Sequence, residues 1–158
     1  MLRPAVLYKD TLDKKFAEQL YTDEYFWYSG YGVCNELPSY EPRDERYQYA
    51  IVDKDDNVIG YFAYQIQAVN DTVLNFGLYS FDKGNPLVGI DVFAKMEDLV
   101  KCHRRIEWRM IGGNKIFNSY KYFCERHNGN IVKLNQVTKD NKGEYHDEYI
   151  FEILKKGE

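Results

Sequence analysis

The run Phe81-Asp82-Lys83-Gly84-Asn85-Pro86 stands directly before an amphipathic stretch, and it is where this sequence could hold a charged ligand. Asn is a good N-cap and Pro suits the first helical position, so a helix starts here. The first N–H groups of a helix lack intrahelical partners and sit at the positive end of its dipole. A phosphate or diphosphate satisfies both conditions. Pro86 has no N–H to give. The backbone donors on offer are those of Lys83, Gly84, Asn85, Leu87 and Val88, with the Lys83 ammonium beside them. An ordinary capped helix explains the same residues: the Asn85 side chain would bind the N–H of Leu87 or Val88 and compete with a phosphate.

Side chains that could move a proton are scattered. Glu107 lies in a short β-rich run, and His146 stands in the sequence Tyr145-His146-Asp147 of the last strand, as an imidazole that could carry a proton. Asp91 stands four residues before Lys95 on the long helix, which reads more simply as a solvated ion pair. The segment Tyr21 to Tyr31 holds six rings together with Asp23 and Glu24. Rings plus carboxylates suit a cationic amine; a partly buried helix explains them equally. The cysteines, Cys34, Cys102 and Cys124, are odd in number and form no CxxC pair, so reduced thiols and a cytoplasmic setting are expected. The three His include no pair at metal-ligand spacing, and no metal is expected.

The elements that must position these groups follow from periodicity and turn residues. Residues 2–8 suggest a short strand, and Thr11 to Tyr21 a helix with Leu12, Phe16 and Leu20 at four-residue spacing. Strands are predicted over Tyr47–Val52, Val58–Gln67 and Thr72–Ser80, joined by the turns Asp53–Asn57 and Asn70-Asp71, which makes an antiparallel meander. The helix after Pro86 carries an apolar face of Val88, Val92, Phe93, Met96, Leu99 and Val100. Asp91 with Lys95, and Glu97 with Lys101, are four-apart pairs on its wet side. A strand over Ile106–Ile111 ends at Gly112-Gly113. A helix from Lys115 to His127 turns Ile116, Tyr120, Phe123 and Cys124 inward and stops at Asn128-Gly129. Strands over Ile131–Val137 and Tyr145–Leu154 close the chain. A strand–helix–strand crossover after a meander requires a mixed sheet.

At 158 residues, the chain fits one domain with a proper core and no internal linker or repeat. The net charge of −4, with basic and acidic residues interleaved, argues against a nucleic-acid surface. No apolar run approaches the length of a membrane span, and residues 1–10 lack the apolar core of a signal peptide. The sequence leaves homodimerisation open.

The order β-α-(α)-β-β-β-α-β-α-β-β resembles that of the GNAT N-acetyltransferases. Four pieces carry the resemblance, from about Tyr47 to the end: IVDKDDNVIGYFAYQI, LYSFDKGNPLVGIDVFAKM, IEWRMIGGNKIFNSYKYF and GEYHDEYIFEI. It implies an α/β domain with a mixed, mostly antiparallel sheet of six to seven strands flanked by helices. It also implies an enzyme that moves an acetyl group from acetyl-CoA to an amine by direct attack. The family's acyl-CoA loop, Q/R-x-x-G-x-G/A, falls on Phe81 to Pro86; Gly84 is kept, while Phe81 and Pro86 depart. By the same resemblance the third meander strand carries a bulge. Gly77 is its candidate kink, and the backbone of Leu78, Tyr79 and Ser80 would meet the cofactor. Asn114 matches a cofactor-contacting Asn, or caps the next helix. Tyr120, with Tyr122 second, matches the residue that protonates the leaving thiolate, or is a core tyrosine on the apolar stripe. Glu107 is a candidate base, with Asp91, His146 and a water chain as alternatives that the sequence leaves open. The first helices and Tyr21 to Tyr31 would form the acceptor pocket. The altered loop keeps two alternatives open: a GNAT-like module that binds acyl-CoA without efficient catalysis, and an interaction domain using the aromatic N-terminal third.

Overall fold

A computed structural model describes residues 1–20, 22, 39–41, 45–140 and 142–155. The segment Tyr21 to Tyr31, apart from Thr22, lies outside them, as does Cys34, so the expected aromatic acceptor pocket does too.

The chain begins with β1 (Leu2–Pro4), which passes through a 3-10 turn, Ala5–Tyr8, into α1 (Lys9–Gln19). The expected strand over residues 2–8 is thus shorter, and the helix starts earlier than Thr11. Then come β2 (Arg46–Val52), β3 (Val58–Gln67) and β4 (Thr72–Ser80). They are followed by α2 (Pro86–Cys102), β5 (Arg105–Ile111), α3 (Phe117–Arg126), β6 (Asn130–Lys139) and β7 (Tyr145–Leu154). The strands form one sheet in the order β1-β2-β3-β4-β5-β7-β6. Every neighbouring pair is antiparallel except β4 and β5. The expected mixed, mostly antiparallel sheet is therefore present, with seven strands.

Alternation along the strands splits the core in two. On one face Ile59, Phe62, Tyr64, Val73, Ile106, Trp108 and Phe151 pack under Val88, Val92, Met96 and Leu99 of α2 and Tyr120, Phe123 and Cys124 of α3. On the other, Ala50, Val52, Tyr61, Ala63 and Tyr79 receive Leu12 and Phe16 of α1. Each large apolar side chain so buried is worth about 1.5–3 kcal/mol, which is what holds the three helices against the sheet.

Turn chemistry sets the register. The Asp53 carboxylate accepts the N–H groups of Asp55 and Asn57, closing the β2–β3 hairpin. Asn128, at φ 54°, is the left-handed residue that ends α3. Gly129 is needed for room: a Cβ there would lie 2.5 Å from both Cys124 Sγ and the Glu152 carbonyl.

The wet-side pairs on α2 are not those expected from four-residue spacing. Asp91 meets the N-terminal ammonium instead of Lys95, whose ammonium lies over the Tyr64 ring. Glu97 pairs with Arg126 from α3, and Lys101 with Asp98. Asp91 and Glu97 take partners from elsewhere in the fold, because a helix-surface pair is worth only a few tenths of a kcal/mol, while Lys101 keeps a neighbour on its own helix.

Candidate functional site

The site is made by a failure of pairing. β4 and β5 run side by side only at Thr72 with Arg105 and Val73 with Ile106, and then part. Asp71 pins the start of this seam: its carboxylate meets His103 Nδ1 and the Arg104 N–H, both at 2.8 Å. These contacts, the His103 bond first, hold its carboxyl below the ordinary range. From Leu74 onward the β5-facing edge of β4 has no strand partner among the described residues.

A cavity of about 1070 Å³ fills the widening gap on the helical face. Leu78 and Ser80 of β4 line it, with Lys83, Gly84, Asn85, Val88 and Asn114. These are seven of the nine residues expected at the cofactor. Two differ. Tyr79 turns to the opposite face, where its hydroxyl donates to Gln19 Oε1 at 3.1 Å. Leu87 is exposed outside the lining, and its N–H is taken by Asn85 Oδ1 at 3.0 Å. Sequence reasoning missed Gly89, Phe93, Ile116 and Ser119, which also line the cavity. The signal was present for Gly89 and Phe93, four residues apart on α2, but Phe93 read as core and Gly89 was not singled out.

The loop at the cavity mouth explains its departures from Q/R-x-x-G-x-G/A. Phe81 is an anchor: its ring packs against Phe16 and Tyr79 in the second core. Gly84 takes φ 80°, which a side chain rarely tolerates. Asn85 caps α2 as expected, and its N–H and those of Leu87 and Val88 are engaged within the turn. An anion arriving here meets Gly84 first and must compete with Asn85 for Leu87. Asn85→Ala should therefore lower stability by about 1 kcal/mol, read as a reduced urea midpoint, while freeing the Leu87 N–H for an anion, whose affinity should hold or rise. A midpoint equal to wild type would show that the cap contributes nothing.

The bulge in β4 sits at Asn75. Ala63 pairs with Gly77 and Gln65 with Leu74, so β4 carries the extra residue, and Asn75 has φ 55°. Gly77, the expected kink, lies two residues on and lacks positive φ. Asn tolerates the left-handed region better than most residues.

Asn114 does two things. Its Oδ1 accepts the Ile116 N–H at 3.1 Å, and it borders the cavity. Tyr120 is buried among Phe93, Trp108 and Phe151 and is not in the cavity lining; burial pushes its hydroxyl above the ordinary tyrosine range. Tyr122 is exposed. His146 meets Asp140 at 2.8 Å on the β6–β7 hairpin, with Glu144 beside them, and borders neither cavity described here. Asp91 also borders neither.

Glu107 belongs to a second cavity of about 470 Å³, set in the gap itself between Leu74–Gly77 and Glu107–Ile111. Arg105 holds Glu107 at 2.6 Å, and Arg109 bridges Glu107 and Glu148 at 3.3 and 3.4 Å. Tyr64 lines this cavity too. Burial, then the Tyr49 hydroxyl at 3.3 Å, pushes the Tyr64 hydroxyl well up, so it stays neutral. The two linings adjoin: Gly77 belongs to one and Leu78 to the other, and across the gap Ile111 and Gly113 stand two residues apart. Among the described residues no helix is long and apolar enough to cross a membrane.

No protein-family model and no curated protein matches the sequence. Solved structures do match the fold. A probable acetyltransferase of the GNAT family from Chromobacterium violaceum aligns over 98% of this chain and 85% of its own, at 19% identity and a TM-score of 0.65. A GCN5-related N-acetyltransferase from Brucella melitensis aligns over 97% and 74%, at 20% identity and a TM-score of 0.64. A ribosomal L7/L12 alpha-N-protein acetyltransferase in complex with coenzyme A aligns over 97% and 92%, at 15% identity and a TM-score of 0.66. Taken with the parted β4–β5 seam, these likenesses identify the architecture: the chain has the fold of the GNAT N-acetyltransferases.

Proposed function

We propose that the protein is an acetyl-CoA-dependent N-acetyltransferase that joins donor and acceptor in a ternary complex. The observation that carries this reading is the cavity of about 1070 Å³ between the end of β4, Gly84 and the N-terminus of α2, and the residues that lead into α3. Coenzyme A fits these residues in kind. Gly84 and Lys83 would meet the diphosphate, helped by the dipole of α2. The unpaired edge of β4 would take the amides of the pantetheine arm, as a sheet edge takes an added strand. Leu78, Phe93 and Ile116 would flank its apolar parts. One of the likened structures holds coenzyme A, which is consistent with such a donor.

The second cavity is the proposed acceptor side, because its lining adjoins the first. A neutral amine there attacks the thioester carbonyl, and an edge N–H of β4 would stabilise the oxyanion. The thioester C–S bond then breaks, the thiolate takes a proton, and the new amide leaves with the acetyl group. Glu107 is tied to two guanidiniums, so Glu148 keeps more open acceptor capacity for the amine's proton. Tyr120 is the proposed proton source for the thiolate, reached past Phe93. Ser119, exposed at the cavity wall, is its substitute.

One observation favours a second reading, a domain that binds acyl-CoA without turnover: the loop donors Asn85, Leu87 and Val88 are already engaged. Thermal melting with acetyl-CoA and with coenzyme A, followed by thiol release across a broad amine panel, tests both. A raised melting temperature with both ligands and thiol release with an amine are expected. No shift at millimolar ligand would end the first reading, and a shift without thiol release would favour the second. Tyr120→Phe is expected to lower turnover about a hundredfold with little change in melting temperature. Unchanged turnover removes Tyr120 and leaves Ser119.

A further inference from the structure

The charges around the second cavity are balanced and divided. Glu107 and Glu148 lie on the β5 and β7 side with Arg109 between them. Arg46, at the start of β2, stands across the gap beside Gln65. Arg46 is exposed and has no ion pair among the described residues, unlike Arg105 and Arg109, whose guanidiniums are committed to Glu107, Glu148 and Glu152. A site for a simple amine or polyamine needs carboxylates and gains nothing from an uncommitted guanidinium on the facing wall. A guanidinium is instead the group that grips a carboxylate through two parallel N–H bonds.

We infer that the second cavity accepts a free amino acid, its ammonium directed to Glu148 and its carboxylate to Arg46. This rests on the acyltransferase reading only for the site's role as acceptor side. The division of charge stands by itself. Phe76 and Trp108 give the cavity an apolar wall for part of the side chain. Arg109 holds Glu107 and Glu148 in position, so an ammonium finds a fixed carboxylate oxygen and pays little ordering entropy.

The test is calorimetric titration of the intact protein, with and without saturating coenzyme A. The probes are L-phenylalanine, L-methionine and L-lysine, each beside its decarboxylated amine. The amino acids are expected to bind about tenfold tighter than the matching amines, as one charge-assisted bidentate contact gives. Arg46→Ala should erase that difference and leave amine affinity unchanged; Arg46→Lys should keep part of it. Amines that bind as tightly as amino acids overturn the inference. So does an Arg46→Ala protein that loses both to the same degree. Coenzyme A titrated alone reports separately on the acyltransferase reading. If it binds and no amino acid does, only the present inference falls. If it does not bind, the titrations without coenzyme A still decide the amino-acid site.

Discussion

Gly89→Trp is expected to weaken coenzyme A binding severely while the protein stays folded. Gly89 lies in the second turn of α2 and lines the large cavity. A Cβ built there meets only Phe93 Cδ2, at 4.0 Å, so a side chain has open space ahead of it and that space is the cavity. Glycine inside a helix costs roughly 0.5–1 kcal/mol relative to alanine. Gly89→Ala should therefore raise stability by about that amount and leave binding nearly intact. Indole bulk should weaken coenzyme A about a hundredfold or more, a loss of about 2.7 kcal/mol. Calorimetry with coenzyme A and a urea melt on each variant separate the two effects. Wild-type affinity in Gly89→Trp would mean that coenzyme A binds elsewhere, and the proposed function would lose its main support.

The largest stability effect should come from Trp108. Its side chain is 1% exposed and stacks on Phe151 at 5.2 Å with nearly parallel rings. The edges of Phe76, Tyr120 and Phe123 close around it. It ties β5 and β7 to α3 beside the parting of the strands. Trp108→Ala should cost about 3–5 kcal/mol, a large share of the total stability of a domain this size. Trp108→Phe keeps a ring and deletes an N–H that has no acceptor among the described residues. Since an unsatisfied buried donor costs about 1–3 kcal/mol, that deletion offsets part of the lost packing, and the net cost should be near 1 kcal/mol. Equal losses in the two variants would mean that the indole N–H has a partner after all. A loss below about 1 kcal/mol in Trp108→Ala would remove Trp108 from the core's centre.

Local signals carried the fold because local chemistry sets it. The strands Val58–Gln67, Thr72–Ser80 and Tyr145–Leu154 have the bounds expected from their turns. Asn85-Pro86 starts α2 where a cap followed by proline should. What could not be read depends on register and on tertiary neighbours. Period-two alternation says that Leu78 and Tyr79 face opposite ways, but only the packed sheet says which faces the cavity. The bulge needs one residue with a left-handed backbone, and Asn75 served instead of the glycine two positions later. Arg46, Glu107 and Glu148 reach one cavity from three strands that pairing alone brings together, so no spacing announces them. Tyr120 showed both its apolar stripe and its match to the family; the stripe describes its surroundings correctly.

The parted seam also bears on what the protein does not do in a crowded solution. An exposed strand edge is a template on which a second chain can add a strand, and proteins blunt such edges with charge, bulges or cover. The unpaired edge of β4 faces inward, toward β5, and is kinked at Asn75. It can therefore stay open to a small extended ligand while a flat, continuous β-strand from another molecule finds neither room nor a straight ladder. The same break that makes the cavity is a guard against intermolecular sheet growth.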